Sequence, residues 1–359
     1  AGGDVNGNEK VGGFVGENNG GTVQRSFATG NVTGGGIGTS SIQPFQDASP
    51  EPGVGGFVGF NRGGSTVELS YARGSVNSPT NSVGGFVGNN IGTVKRSYAT
   101  GNVSGNDNVG GFAGENRGVV DGTYAVGSTD GSSNVGGLVG FNASFGSTEV
   151  RDSYWDVNTT EQGGSDGGEP LTTDEITGDD APGNMSGFDF NPTWATTDGY
   201  PELIWSVETL ELDAPATLNV SETAPAPSFF VIADGRTPSV TGVANYSSND
   251  TGVVTVSSPL EAIGPSAATI TAEHFGFSDS EAVVVQGEGD GVEDGGGDGD
   301  MEERDGSECI DRRDMGRGEE GLECPKDREI NRGGSRGELD RGTGRDSDTK
   351  RRDRGRSGR

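Results

Sequence analysis

Cysteine, histidine, basic side chains and apolar bulk are all scarce in this chain. Its 359 residues include two Cys and one His. Two cysteines cannot build a disulfide framework or a four-Cys zinc site. With His274 as the lone histidine, an HExxH zinc motif is impossible, and a Ser-His-Asp triad could use no other residue. Hydrophobic residues make up 29% and aromatic residues 7%, too little for one large globular core. No run of about 20 apolar residues exists, so no transmembrane helix is expected. The first residues lack a basic stretch followed by an apolar one, so no signal peptide is expected there. Lys and Arg number 25 against 55 Asp and Glu, a net charge of -30. That balance excludes nucleic acid as a partner, because binding it needs a cationic face.

Glycine and carboxylates are abundant instead. There are 68 Gly, and their distribution is periodic over the first half. V-G-G-F-V-G begins at Val11, Val54 and Val83, with V-G-G-F-A-G at Val109 and V-G-G-L-V-G at Val135. The first interval carries an insertion from about Gly35 to Gly53. An Asn follows seven residues after each start: Asn18, Asn61, Asn90, Asn116 and Asn142. Next comes a hydroxyl residue before an aromatic: Ser26-Phe27, Ser70-Tyr71, Ser97-Tyr98, Thr123-Tyr124 and Ser153-Tyr154. A period this short, rich in Gly, Asn and β-branched residues, excludes helical repeats and calls for strands and turns. One copy cannot bury a core, but stacked copies can.

These residues predict an all-β chain that begins with a β-solenoid, a parallel β-helix with one repeat per coil. Phe14, Phe57, Phe86, Phe112 and Leu138 should form one apolar ladder and the Tyr/Phe positions a second. The Asn residues should hydrogen-bond from rung to rung. The recurrent glycines should supply positive-φ corners or close backbone approach. Ala1–Val11 overlays Ala99–Val109, so the chain is expected to start inside a repeat, as a fragment of a longer protein.

The pattern V-G-G-F-V-G-x-N-x-G-x-V-x-x-S-Y-A-T-G-x-V resembles the GLUG repeat, over about residues 1–157. The last copy, with S-Y-W-D at Ser153–Asp156, is similar to the terminal GLUG unit. The resemblance implies large bacterial and archaeal surface proteins, adhesin-like proteins and some IgA-peptidase precursors. It implies no catalytic activity.

Residues 158–207 change character and contain Phe188, Phe190, Trp194, Tyr200, Leu203 and Trp205. A solenoid needs its open end covered, and these side chains are expected to be that C-terminal cap; an aromatic platform for sugar stacking is the alternative. Residues 208–286 alternate in short apolar runs, which predicts an antiparallel β-sandwich. The run from Tyr246 to Val285 resembles the bacterial Ig-like domain, group 2, which implies a spacer or adhesion module. From Gly287 to Arg359 the chain becomes acidic and Arg/Gly-rich, and a disordered tail is expected. The abrupt switch near Met301 suggests a change of reading frame, or else a genuine tether. Cys309 and Cys324 read as free thiols within it.

No residue stands out as catalytic, cofactor-binding or metal-binding. His274 lies in a predicted strand and reads as packed or superficial. Asp152 and Asp156 flank Ser153–Trp155, but four residues along a strand span about 13 Å, too far for a local glycosidase pair. Asp290, Asp294, Asp298 and Asp300 fit no EF-hand or iterated calcium repeat. N-glycosylation sequons stand at Asn31, Asn102, Asn142, Asn158, Asn184, Asn219, Asn245 and Asn249. The carboxylate excess reads as the salt-adapted surface of a halophilic archaeon, with an ordinary acidic extracellular protein as the alternative. The expected function is a non-enzymatic secreted or cell-surface adhesin-like or stalk protein, binding through a repetitive solenoid face. Cell-surface glycans or other surface proteins are the expected partners, and no cofactor is expected. The alternative is the non-catalytic region of a secreted peptidase or polysaccharide-active enzyme.

Overall fold

The structure is a computed structural model and describes residues 1–35, 53–144, 146 and 148–287. All of them fall within one compact unit, residues 1–293. The expected tail, with Cys309, Cys324 and the aspartates from Asp290 to Asp300, lies outside the described residues, as does most of the insertion after Gly35.

The five repeats are five coils of a parallel β-helix. The coil that starts at Val54 consists of strands Val54–Gly55, Val58–Asn61, Thr66–Glu68, Tyr71–Ala72 and Val76–Asn77. Each pairs in parallel with its equivalents above and below. Val54 faces Val11 and Val83, Val67 faces Val23 and Val94, and Tyr71 faces Phe27 and Tyr98. Five parallel sheets therefore run along the stack.

In-register pairing puts equivalent repeat positions on each other at the strand spacing of about 4.8 Å. Phe14, Phe57, Phe86 and Phe112 stack with centroids 4.9, 4.8 and 4.9 Å apart, and Leu138 continues their cluster. Val58, Val67 and Ala72 join that interior with their equivalents in neighbouring coils. Val11, Val54, Val83 and Val109 form a second cluster with Val32, Val76 and Val103. The asparagines form the expected ladder. Each side-chain amide donates to the next carbonyl: Asn18 to Asn61 at 3.1 Å, Asn61 to Asn90 at 2.8 Å, Asn90 to Asn116 at 2.8 Å and Asn116 to Asn142 at 2.9 Å.

The repeat glycines divide the two tasks expected of them unevenly. A Cβ on Gly84 would lie 2.0 Å from the Val87 carbonyl oxygen and 2.7 Å from the Gly114 nitrogen of the next coil. Backbone proximity is what excludes a side chain there. The left-handed corner before the Tyr strand is taken mostly by other residues: Arg25, Leu69, Arg96 and Asp152 have φ of 48, 51, 48 and 48°. Only Gly122 (φ 63°) is a glycine in that row.

The cap is a correction to the expectation. The end of the last coil is closed by residues 155–171, not by the aromatics from Phe188 to Trp205. Trp155 stands where earlier coils carry Ala and joins the interior cluster. Its indole N–H donates to the Gln162 carbonyl at 3.0 Å. Gly137 N–H donates to the Gly164 carbonyl at 3.0 Å, and Val139 N–H to Ser165 Oγ at 2.8 Å. Glu169–Leu171 adds a sixth parallel strand beside Tyr154–Asp156. These contacts occupy backbone groups that would otherwise form an open sheet edge.

Residues 207–286 form an all-β domain with its own core, including Phe230, Leu260, Ile270 and Val283. Val207–Leu212 pairs with Ser228–Ile232. Ser266–His274 pairs antiparallel with both Phe277–Gln286 and Asn245–Ser248. The sequence led to an expectation of antiparallel pairing throughout, and this is corrected at one place: Thr217–Asn219 joins Phe277–Gln286 in parallel. The two lie far apart in the chain, so no hairpin dictates their direction.

The ladder predicts a position effect. Asn90 is fully buried in mid-stack and bonds Asn61, Asn116 and the Val119 carbonyl. Asn90→Ala leaves buried partners unsatisfied and should cost about 2–4 kcal/mol. Asn142 is half-buried at the ladder's end, so Asn142→Ala should cost less than about 1.5 kcal/mol. Denaturant titration of both variants checks this; equal costs would contradict the ladder.

Candidate functional site

A two-residue Tyr–Ala strand sends successive side chains to opposite faces. Ala28, Ala72, Ala99 and Ala125 point into the solenoid and belong to its interior cluster. The aromatics consequently stand on the outside. Phe27, Tyr71, Tyr98 and Tyr124 stack with centroids 5.2, 5.0 and 4.9 Å apart. Such an exposed stripe needs covering, and residues 176–205 cover it. Trp205 packs on Tyr71, Trp194 on Tyr98 and Tyr124, and Phe188 on Tyr124, Tyr154 and Trp194. The aromatic segment thus runs along the flank of the solenoid. Trp194 and Phe188 are buried, which disposes of a sugar platform at those two rings. Tyr200 is half-buried.

The hydroxyls of the row are used as well. Tyr98 donates to Glu202 Oε2 at 2.6 Å and Tyr124 to the Pro201 carbonyl at 2.7 Å. Burial, reinforced by Glu202, raises the pKa of both phenols well above the ordinary tyrosine value.

Arg73 occupies the centre of this junction. Its guanidinium lies over the rings of Tyr71 and Tyr98, 4.6 and 5.1 Å from their centroids. It donates to both carboxylate oxygens of Glu202, at 3.0 and 2.8 Å. Its Nε lies 2.8 Å from Asp234 Oδ2, an ion contact off the hydrogen-bonding angle. Arg236 adds a second cation, 2.5 Å from Glu202 Oε1. The side chains of Arg73, Glu202 and Asp234 are 8, 4 and 2% exposed. Burial works against the Arg73 charge, but Tyr98, Glu202, Tyr124 and Asp234 more than offset it and raise its pKa. Solenoid, aromatic segment and second domain each contribute to this one cluster.

Beside the cluster opens a cleft of about 660 Å³. The solenoid lends it Thr100, Asn102 and Ser128; the aromatic segment and its approach lend Asn158, Tyr200 and Glu202; the second domain lends Arg236 and Ser239. Its volume lies within the range of about 300–1,000 Å³ usual for small-molecule sites.

The residues singled out from sequence lie elsewhere or serve the framework. His274 is 8% exposed and stacks on Phe230. Its Nε2 lies 2.9 Å from the Thr196 carbonyl, which can only accept, so Nε2 carries a proton. Burial lowers its pKa. Asp156 is fully buried; it accepts from Asn158 and Thr159 N–H and from the hydroxyls of Thr173 and Tyr200, the last two at 2.7 Å. Asp152 is exposed at its left-handed corner. Of the sequon residues, Asn142 is half-buried and the others are exposed, with Asn102 and Asn158 bordering the cleft. Among the described residues, no group of three His, Cys, Asp or Glu side chains is placed to hold a metal ion. Nor is any described helix long and apolar enough to cross a membrane.

Sequence reasoning missed Arg73, Glu202, Asp234 and Arg236. A signal existed for the first: copies one and three read A-T-G after the aromatic, and copy two reads A-R-G. A cation that interrupts a repeat on an outer face points to something docked there.

The family described as the GLUG motif matches residues 7–33 and 80–104. Those segments are similar to GLUG repeats, and each supplies one full turn of strands. No curated protein matches it.

Replacing Arg73 with the threonine of copies one and three tests the junction. Arg73→Thr leaves Glu202 and Asp234 buried with less compensation and should cost about 3–5 kcal/mol. Adding Glu202→Gln and Asp234→Asn should recover part of that loss. A cost under about 0.5 kcal/mol in denaturant titration would show that the cluster is not a structural link.

Proposed function

We propose that this chain is the non-catalytic part of a secreted or cell-surface protein, and that it works as an adhesin-like stalk. The observation that carries this reading is the junction. The tyrosine row and the Arg73 cluster hold the solenoid, the aromatic segment and the second domain together through buried contacts. A stalk needs such stiffness between its modules, since independently tumbling domains are the default where interfaces are small and polar. The GLUG match supports a repetitive structural region. The Ig-like resemblance of residues 208–286 supports a spacer or adhesion module, and the net charge of -30 suits an extracellular setting of high salt, where repulsion is screened.

Labelled full-length chain should be retained saturably on cells or on glycan-coated surfaces. Absence of retention on every surface, by a chain shown to be folded, would refute adhesion and leave only the spacer role.

A further inference from the structure

We propose that the cleft beside the Arg73 cluster binds a neutral oligosaccharide. This rests on the adhesive reading above but moves the binding from a repetitive solenoid face to a single place.

The two cations at the cleft are both paired with carboxylates. Arg73 serves Glu202 and Asp234, and Arg236 serves Glu202. Glu161 and Glu202 at the cleft would in addition repel a phosphate, sulfate or carboxylate. An anionic ligand is therefore disfavoured.

What the walls offer instead is a set of groups that both donate and accept. Thr100 and Ser128 bring hydroxyls from successive coils, and Asn102 and Asn158 bring amides. Asn102 Oδ1 accepts from Ser128 N–H at 3.0 Å, which fixes the amide and leaves Nδ2 as its donating end. A polyol answers such a surface, since each sugar hydroxyl is also both donor and acceptor. Tyr200 adds a fixed aromatic ring. Its hydroxyl is held by Asp156 and its backbone carbonyl by the Thr197 hydroxyl at 2.9 Å, so the ring is pre-organised and costs little entropy on binding. A ring face with hydroxyl-matching groups beside it is the combination that a pyranose, apolar on its faces and polar at its rim, can use.

The test uses full-length chain produced without N-glycosylation, since sugars on Asn102 or Asn158 would themselves fill the cleft. A glycan array with neutral hexose and N-acetylhexosamine oligomers, beside sulfated and sialylated ones, is probed with wild type and three variants. Retention is expected on neutral oligomers and should persist between 0.15 and about 1 M salt. Ser128→Trp, which obstructs the cleft, should weaken it at least tenfold, as should Tyr200→Ala. Tyr200→Phe, which keeps the ring, should stay within threefold. Unfolding midpoints identify any variant that fails to fold, and Ser128→Trp then decides without Tyr200→Ala. Retention unchanged by Ser128→Trp would overturn the proposal, as would stronger retention on sulfated or sialylated glycans. A silent array with a chain that still attaches to cells would overturn the cleft and spare the adhesive reading. Failure of both would end both.

Discussion

Everything in this fold depends on parallel, in-register hydrogen bonding between coils. Because each strand pairs with its own equivalent one repeat away, every side chain meets its equivalent in the next coil at about 4.8 Å. Where the repeat keeps the same residue, that residue must gain from self-contact. Phenylalanine stacks on phenylalanine, valine packs on valine, and asparagine donates to asparagine. A chain with 29% hydrophobic residues can therefore be well packed, since each coil contributes a few apolar side chains to ladders that run through the whole stack.

The same rule creates the junction. Alternation along a two-residue strand puts alanine inside and tyrosine outside, so the stack builds an apolar stripe on its own flank. That stripe is covered by residues 176–205, and their burial carries the second domain into contact with the solenoid. Arg73 connects the two effects. It lies on the tyrosine faces and is paired with carboxylates from the covering segment and from the domain beyond. In a chain so rich in carboxylates, one buried arginine with two acidic partners specifies a single docking position more sharply than apolar packing alone, whose contacts are non-directional.

Much of this was legible in the sequence. The repeat starts, the Phe and Asn ladders and the solenoid itself follow from aligning five copies. The orientation of the tyrosines was not legible, because two residues are too short a run to reveal which face is inward. That led to the cap being assigned to Phe188–Trp205 when Trp155 and the residues after it close the end. Trp155 in place of alanine was the available clue, as Arg73 in place of threonine was for the junction. The parallel pairing of Thr217–Asn219 with Phe277–Gln286 could not be read at all, since no local signal sets the direction of strands so far apart. Sequence left His274 as either packed or superficial; it is buried, and its partner Thr196 lies 78 positions away.

The central claim is that the tyrosine row holds residues 176–205 as an integral layer and not as a loose connection. Native-state hydrogen exchange on the full chain tests it most directly. Tyr98 N–H is bonded to Ser70 within the solenoid, and Ile204 N–H is bonded to Thr193 within the covering layer. The account predicts comparable protection for the two, rising and falling together as denaturant is added. Rapid exchange at Ile204 while Tyr98 stays protected would show that the layer opens independently, and would contradict the account.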